Sequence, residues 1–202
     1  MNDFPAVDLS KPKQKHPASV AWPAAKELVA ALAPWCEPDR LLVAGSLRRG
    51  KSQVSDIEIL YVPKFADEPT PGEMFGTQTV NLASRQLLEL LDQDEIAYRL
   101  NVKGQETWGE QIKLGVHVAS NVPVDFFQAR PESWWNYLVC RTGPAESNLR
   151  IATAARARGW KWEPYSSGFV RGNEPHDRVV MESERAVFEF VGLPYAEPQE
   201  RR

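Results

Sequence analysis

The chain has little of what staples, spans or solidifies a protein. Two cysteines occur in 202 residues, Cys36 and Cys140, far apart in sequence. That is neither a disulfide framework nor a zinc pattern, and reads as two free thiols in a reducing compartment. The three histidines, His16, His117 and His176, are too dispersed to form a metal site. No run approaches the roughly 20 apolar residues that cross a bilayer. Met1 to Lys15 has no apolar core of the kind a signal peptide carries. These absences lead to the expectation of a cytoplasmic protein, acting at a nucleoid or viral replication site, with no membrane partner and a monomer by default. An overall basic excess is also missing. The net charge is −3, so any grip on nucleic acid must come from local clusters. Lys11, Lys13 and Lys15 form one, Arg48, Arg49 and Lys51 a second, and Arg150, Arg156, Arg158 and Lys161 a third. Any one of these, taken alone, reads more simply as a solvated face.

What is present suffices for a core, since 43% of residues are hydrophobic and 25% charged. Residues 1 to about 20 are polar with proline and lysine, and are expected to form a flexible arm. Pro23 stands where a helix can begin, with the alanine- and leucine-rich stretch from Ala24 to Ala33 as its body. Leu41 to Ala44 reads as a buried strand closed by Gly45. Asp56 to Val62 alternates with period two and reads as a half-buried strand. Residues 63–76 read as a loop and 81–92 as an amphipathic helix. Strands are expected over 96–102, 112–118 and 122–127. A helix follows from Pro131, broken at Thr142, Gly143 and Pro144. A further helix spans 148–158 up to Gly159, residues 165–177 read as loop, and Ser183 caps a last helix over 184–191. There is no internal repeat. The pattern implies an α+β fold, with a mixed sheet flanked by helices over 21–130 and a small, mainly helical unit over 131–202.

The sharpest chemical feature is Gly45-Ser46-Leu47-Arg48-Arg49-Gly50, then five residues, then Asp56-Ile57-Glu58. Strand spacing places both carboxylates on one face, roughly 6 to 7 Å apart at the backbone, where they repel unless a cation lies between them. Magnesium takes such oxygen ligands and shares its shell with water and phosphate. Gly45 lets the backbone approach a phosphate, Ser46 can donate to it, and Arg49 can neutralise its oxygens. A third acid, Asp125, stands among apolar residues in Val122-Pro123-Val124-Asp125-Phe126-Phe127, where a carboxylate is costly without a cation. In-line phosphoryl transfer uses two metal ions about 3.5 to 4 Å apart, and a third carboxylate can bind the ion that activates the attacking hydroxyl. An Asp-x-Glu pair alone is usually a solvated strand face. The glycine-serine turn, the pair at this spacing and a later strand acid form a much rarer set.

From Gly45 through Glu58 the sequence resembles the palm motif of DNA polymerase beta and the family X DNA polymerases, with the same spacing. Thr142-Gly143 and Asn148 resemble the thumb of that family, and Ser183 to Phe188 with Gly192 to Arg201 resemble its closing segment. The resemblance runs from about residue 25 to the end and suggests a minimal palm-and-thumb form. It implies that Asp56, Glu58 and Asp125 are catalytic and hold two Mg2+ or Mn2+ ions. It implies that Gly45, Ser46 and Arg49 hold the triphosphate of a dNTP. Cys140, Arg141, Thr142, Gly143 and Asn148 would line the nucleotide, with Asn148 facing the base. The second acid is Glu58 where the family usually has aspartate. Cys140-Arg141 stands where the family usually has Tyr-Phe against the sugar, which bears on ribonucleotide exclusion. Ala152 stands where an arginine can approach the templating base, and Arg150 is a neighbouring substitute.

The expected partner is DNA, gapped or primer-template, reached through Lys103, Lys113, Arg150 and Arg156. For Lys103 and Lys113 a surface hairpin is an equal explanation. Trp134 and Trp135 read as packing residues, while Trp160 and Trp162 divide evenly between base stacking and packing. The expected function is DNA-directed DNA polymerisation in short-gap filling and repair. The alternatives are a nucleotidyltransferase for another acceptor (an RNA end, a small molecule or a protein) and a catalytically silent DNA-end-binding module.

Overall fold

The computed structural model describes residues 14–72, 75–166, 168–172 and 177–201. Residues 1–13 of the expected arm, with Lys11 and Lys13, lie outside these, as does His176. From His16 on, the chain is already part of the fold. His16–Pro17 (β1) is followed directly by a helix, α1, Ala18–Leu32. The helix starts before Pro23, which falls inside it. Ala21, Ala24, Ala25, Leu28 and Leu32 form the buried stripe of α1 at helical spacing. A buried leucine such as Leu28 contributes about 1.5–3 kcal/mol, enough to outweigh the hydrogen bond Pro23 cannot donate.

Next come β2 (Cys36–Val43), a one-turn helix α2 (Gly45–Arg48), β3 (Gln53–Val54) and β4 (Ile57–Pro63). β3 pairs with β1, which ties the start of the chain to the turn before the acids. The stretch expected as loop after β4 contains a hairpin instead, β5 (Phe65–Pro69) against β6 (Thr77–Asn81). Asn81 then caps helix α3 (Leu82–Asp92) by accepting from the Ser84 amide at 2.9 Å. Strands β7 (Ile96–Tyr98), β8 (Ile112–His117) and β9 (Val122–Gln128) complete a five-stranded sheet in the order β2-β4-β9-β8-β7. Only the central β4–β9 pair is parallel. β7 is shorter than expected and ends before Leu100.

Both faces of this sheet are covered. Ile57, Ile59 and Tyr61 of β4, with Val122, Val124 and Phe126 of β9, pack against α1 and α3. Leu60, Val62 and Phe127 point the other way, onto Trp134, Tyr137 and Leu138 of helix α4 (Trp134–Thr142). β4 is therefore buried on both sides beyond Glu58 rather than half-exposed, as a parallel central strand must be. The apolar packing expected for Trp134 holds, since it is wholly buried.

The carboxy-terminal region is less helical than its composition suggested. After α5 (Ala145–Ala157), strands β10 (Lys161–Glu163), β11 (Gly168–Arg171) and β12 (Asp177–Val179) form a small antiparallel sheet. Helix α6 (Glu184–Phe190) closes it, with Ser183 accepting from the Ala186 amide at 3.0 Å as expected. Val139, Ile151, Phe169, Val187 and Phe188 form the separate core of this region. Among the described residues no helix is long and apolar enough to cross a membrane.

Candidate active site

The acids meet at the centre of the sheet. β4 and β9 run parallel with Glu58 in register with Asp125, so their backbones lie roughly 5 Å apart and their side chains leave the same face. Asp56 precedes β4 by one residue, two positions before Glu58. The face is the one that, farther along the strands, packs against α4. The three carboxylates thus stand at the open end of a groove between the sheet and the carboxy-terminal region.

Glycine at position 45 is a requirement of this arrangement. Its φ is +66°, and a Cβ there would lie 2.1 Å from Glu58 Oε2. The Glu58 carboxyl therefore sits directly on the Gly45 backbone, while the Ala44 amide donates to the Glu58 carbonyl at 2.7 Å. Burial pushes the Glu58 carboxyl up to about 7, and the nearby charges of Asp56 and Asp125 add to the rise. Arg141 and Arg49 oppose it. A carboxyl so placed gains most from a cation.

Arginines surround the acids. Arg99, just past β7, makes an ion pair with Asp125 through Oδ1. Arg141 lies on the Phe127 ring, 3.7 Å from its centroid, between Tyr137 at 5.4 Å and Tyr165 at 5.0 Å. This aromatic box fixes its charge beside Glu58. Arg49 donates through Nη1 to the Thr142 carbonyl, and its buried Nε has no partner among the described residues, an open donor for an anion. Its neighbour Arg48 donates to Thr142 Oγ1 at 2.8 Å and to both oxygens of Glu184, at 2.8 and 2.6 Å. Arg201 reaches Glu184 Oε1 at 3.0 Å, and Gln199 donates to the Arg48 carbonyl at 3.4 Å. The short helix α2 is thereby tied to the ends of α4 and α6. Gly143 permits the close passage at α4, with φ +59° and a would-be Cβ 3.3 Å from Arg49 Nη1.

The structure thus brings Asp56, Glu58, Asp125, Gly45, Arg49, Arg141, Thr142 and Gly143 to one place. Ser46 lies half-buried on the first turn of α2. Asn148 donates to the Cys140 carbonyl at 2.8 Å, joining α5 to the last turn of α4, and its buried Oδ1 has no partner among the described residues. Cys140 donates through its thiol to Tyr165 Oη at 3.3 Å, and burial raises its pKa. Of the expected DNA contacts, Lys103, Arg150 and Arg156 are exposed. Lys113 is not a surface lysine. It is 3% exposed, its amine spent on the carbonyls of Gly109 and Glu110 at 3.0 and 3.1 Å, and it is corrected to a structural role.

Four residues of the site had no signal in the sequence: Arg99, Tyr165, Glu184 and Arg201. Their partners lie between 17 and 136 positions away, and no local pattern links them.

Among the described residues no three carboxylate, imidazole or thiolate groups are drawn into a closed cation cage. The donor set itself fits a hard divalent ion. Three carboxylates face one opening, and the middle one is held with its proton by the other two.

Comparison with known proteins agrees with this geometry. Residues 137–202 match the sequence family "DNA polymerase beta thumb". The crystal structure of Leishmania infantum polymerase beta, described as a ternary P/T complex, superposes with a TM-score of 0.67 over 94% of this chain and 77% of that one, at 18% identity. The chain has the polymerase beta fold and carries a polymerase beta thumb. A search of curated protein sequences gave no match. In this polymerase beta-like chain the Arg48, Arg49 and Glu184 contacts join the acid-bearing sheet to the thumb, and Arg141 is a thumb residue whose charge reaches Glu58.

Proposed function

We propose that the chain is a DNA polymerase of the family X type, adding deoxynucleotides to a DNA 3′-hydroxyl in short-gap filling. The observation that carries this reading is the register of Glu58 with Asp125 on one sheet face, with Asp56 beside them, under a polymerase beta thumb. Residues 21–130 would form the palm and 131–202 the thumb, with residues 1–20 as an arm.

Asp56 and Glu58 would hold two Mg2+ or Mn2+ ions jointly, and Asp125 the one nearer the primer. Bound there, such ions neutralise phosphate oxygens and lower the pKa of a hydroxyl. Asp125 is placed to accept the proton of the 3′-hydroxyl. Arg49 and Ser46 bind the triphosphate, Arg49 exchanging the Thr142 carbonyl for phosphate oxygens. Thr142, Gly143, Asn148 and Cys140 line the nucleotide, and Cys140 leaves room at the sugar where a larger ring would exclude a ribose. Lys103, Arg150 and Arg156 contact the DNA backbone.

The test is extension with each deoxynucleotide and ribonucleotide supplied singly, on gapped, primer-template and single-stranded DNA and on RNA ends. Templated extension on gapped DNA is expected. Labelling of RNA ends alone would replace this reading with another acceptor. Tight gapped-DNA binding in EDTA with no turnover in magnesium would replace it with a silent binding module.

A further inference from the structure

The back of the thumb contains a groove that none of the preceding chemistry uses. It opens between the end of α5 and strands β10 and β11 and encloses about 550 Å³. Its cations are Arg156, Lys161 and Arg171, against one anion, Glu163, in a chain whose net charge is −3. Lys161 meets Glu163 at 2.6 Å and Arg171 meets Asp177 at 3.1 Å. These are exposed surface pairs, of a kind typically worth no more than about 1 kcal/mol, so a phosphate can displace the carboxylates.

The aromatic residues of the groove are held from behind. Trp160 meets Phe190 edge-on at 5.2 Å. Trp162 stacks on Phe169 at 6.3 Å and donates through Nε1 to Asn136 Oδ1 at 2.8 Å. On the groove side, the Arg171 guanidinium lies over the Trp160 ring, 4.6 Å from its centroid, with the Arg171 side chain 52% exposed. A planar cation on a fixed indole, half open to solvent, is a platform for a third flat group. Duplex DNA keeps its bases stacked on each other, so a base free to use the platform belongs to a single strand.

We propose that this groove binds single-stranded nucleic acid, with phosphates on Arg156 and Lys161 and one base stacked on the Arg171–Trp160 pair. That the strand is unpaired template rests on the polymerase reading; the binding itself does not. The packing and stacking readings of Trp160 are then both correct, one for each side of its ring.

The test is fluorescence anisotropy of a dye-labelled oligothymidylate with the full chain in EDTA, where no turnover intervenes. K161Q/R171Q alters only exposed side chains, and an unchanged near-ultraviolet circular dichroism spectrum establishes that it is folded. It is expected to bind at least tenfold more weakly, with the log–log salt dependence reduced by about 1.4 for two lost phosphate contacts. A blunt duplex of equal length is expected to bind at least tenfold more weakly than the single strand. W160F keeps a ring against Phe190, and is expected to retain most of the affinity while losing much of the tryptophan quenching on binding. Unchanged affinity and salt slope in folded K161Q/R171Q, or equal affinity for the duplex, would overturn the assignment. Absence of nucleotide incorporation with oligothymidylate binding intact would instead remove the polymerase reading and keep the groove.

Discussion

Arg48 holds Glu184 through both carboxylate oxygens, at 2.8 and 2.6 Å, across 136 positions of sequence. The glutamate side chain is 9% exposed and the arginine 20%. With Thr142 and Arg201 the pair fastens the helix after β2 to the thumb. Removing one partner leaves the other buried and uncompensated. E184A is therefore expected to lower unfolding stability by about 3 kcal/mol, read as a shift in the urea midpoint with an unchanged slope. A shift corresponding to less than about 0.5 kcal/mol would show that the clasp is incidental.

The same pair fixes a pH dependence. Burial alone would raise the Glu184 carboxyl, but Arg48 and Arg201 outweigh it, so its folded pKa lies below the ordinary value. A depressed carboxylate contributes stability above its unfolded pKa and loses it as pH falls through the folded one. The wild-type stability is thus expected to decline on acidification below about pH 4.5, and E184Q is expected to flatten that decline. An identical acid limb in the variant would contradict the assignment.

Glu58 has the opposite sign. Its folded pKa is raised to about 7, so the folded state keeps a proton that the unfolded state releases above its ordinary pKa. The contribution is present at low pH and lost as pH rises through the folded value, leaving a cost of up to about 3 kcal/mol at pH 8. E58Q is expected to be more stable than wild type at pH 8, little different at pH 5, and inactive. Manganese is expected to raise the melting temperature of wild type at pH 8 and not that of E58Q, with EDTA reversing the gain. Equal manganese shifts in both proteins would remove Glu58 from the metal site.

Arg99 pairs with Asp125 from outside its strand. An interaction that orients a ligand typically contributes 10- to 100-fold to activity or metal affinity. R99A is expected to lose incorporation rate in roughly that range, with R99K recovering part of it. Loss confined to KM for DNA would place Arg99 on the primer instead.

Much of the site was legible because its chemistry lies in short segments. Gly45 to Glu58 carries a turn, a strand and two acids within a few residues, and Asp125 is conspicuous in an apolar strand. The α+β order and most helix ends also followed from periodicity and caps, with Asn81 and Ser183 doing what their side chains allow. The hairpin β5–β6 was hidden by Pro69, Pro71, Gly72 and Gly76, residues that mark loops as readily as hairpins. The thumb sheet was hidden by strands of only three or four residues. Helix α1 begins early because packing of Ala21 against the sheet overrides the weak propensity of Ala18 to Val20. Lys113 misled because a charged residue in a strand was assigned to the surface, whereas neighbouring carbonyls satisfy it inside. The arginine partners of the acids are long-range pairs, which no local pattern encodes.

The most direct measurement is single-nucleotide extension of a gapped DNA primer in magnesium, comparing wild type with D125N of unchanged circular dichroism and melting temperature. The structure leads to templated extension by wild type and none detectable with D125N. Extension by D125N at the wild-type rate would contradict the central claim that the acids on β4 and β9 carry out nucleotidyl transfer.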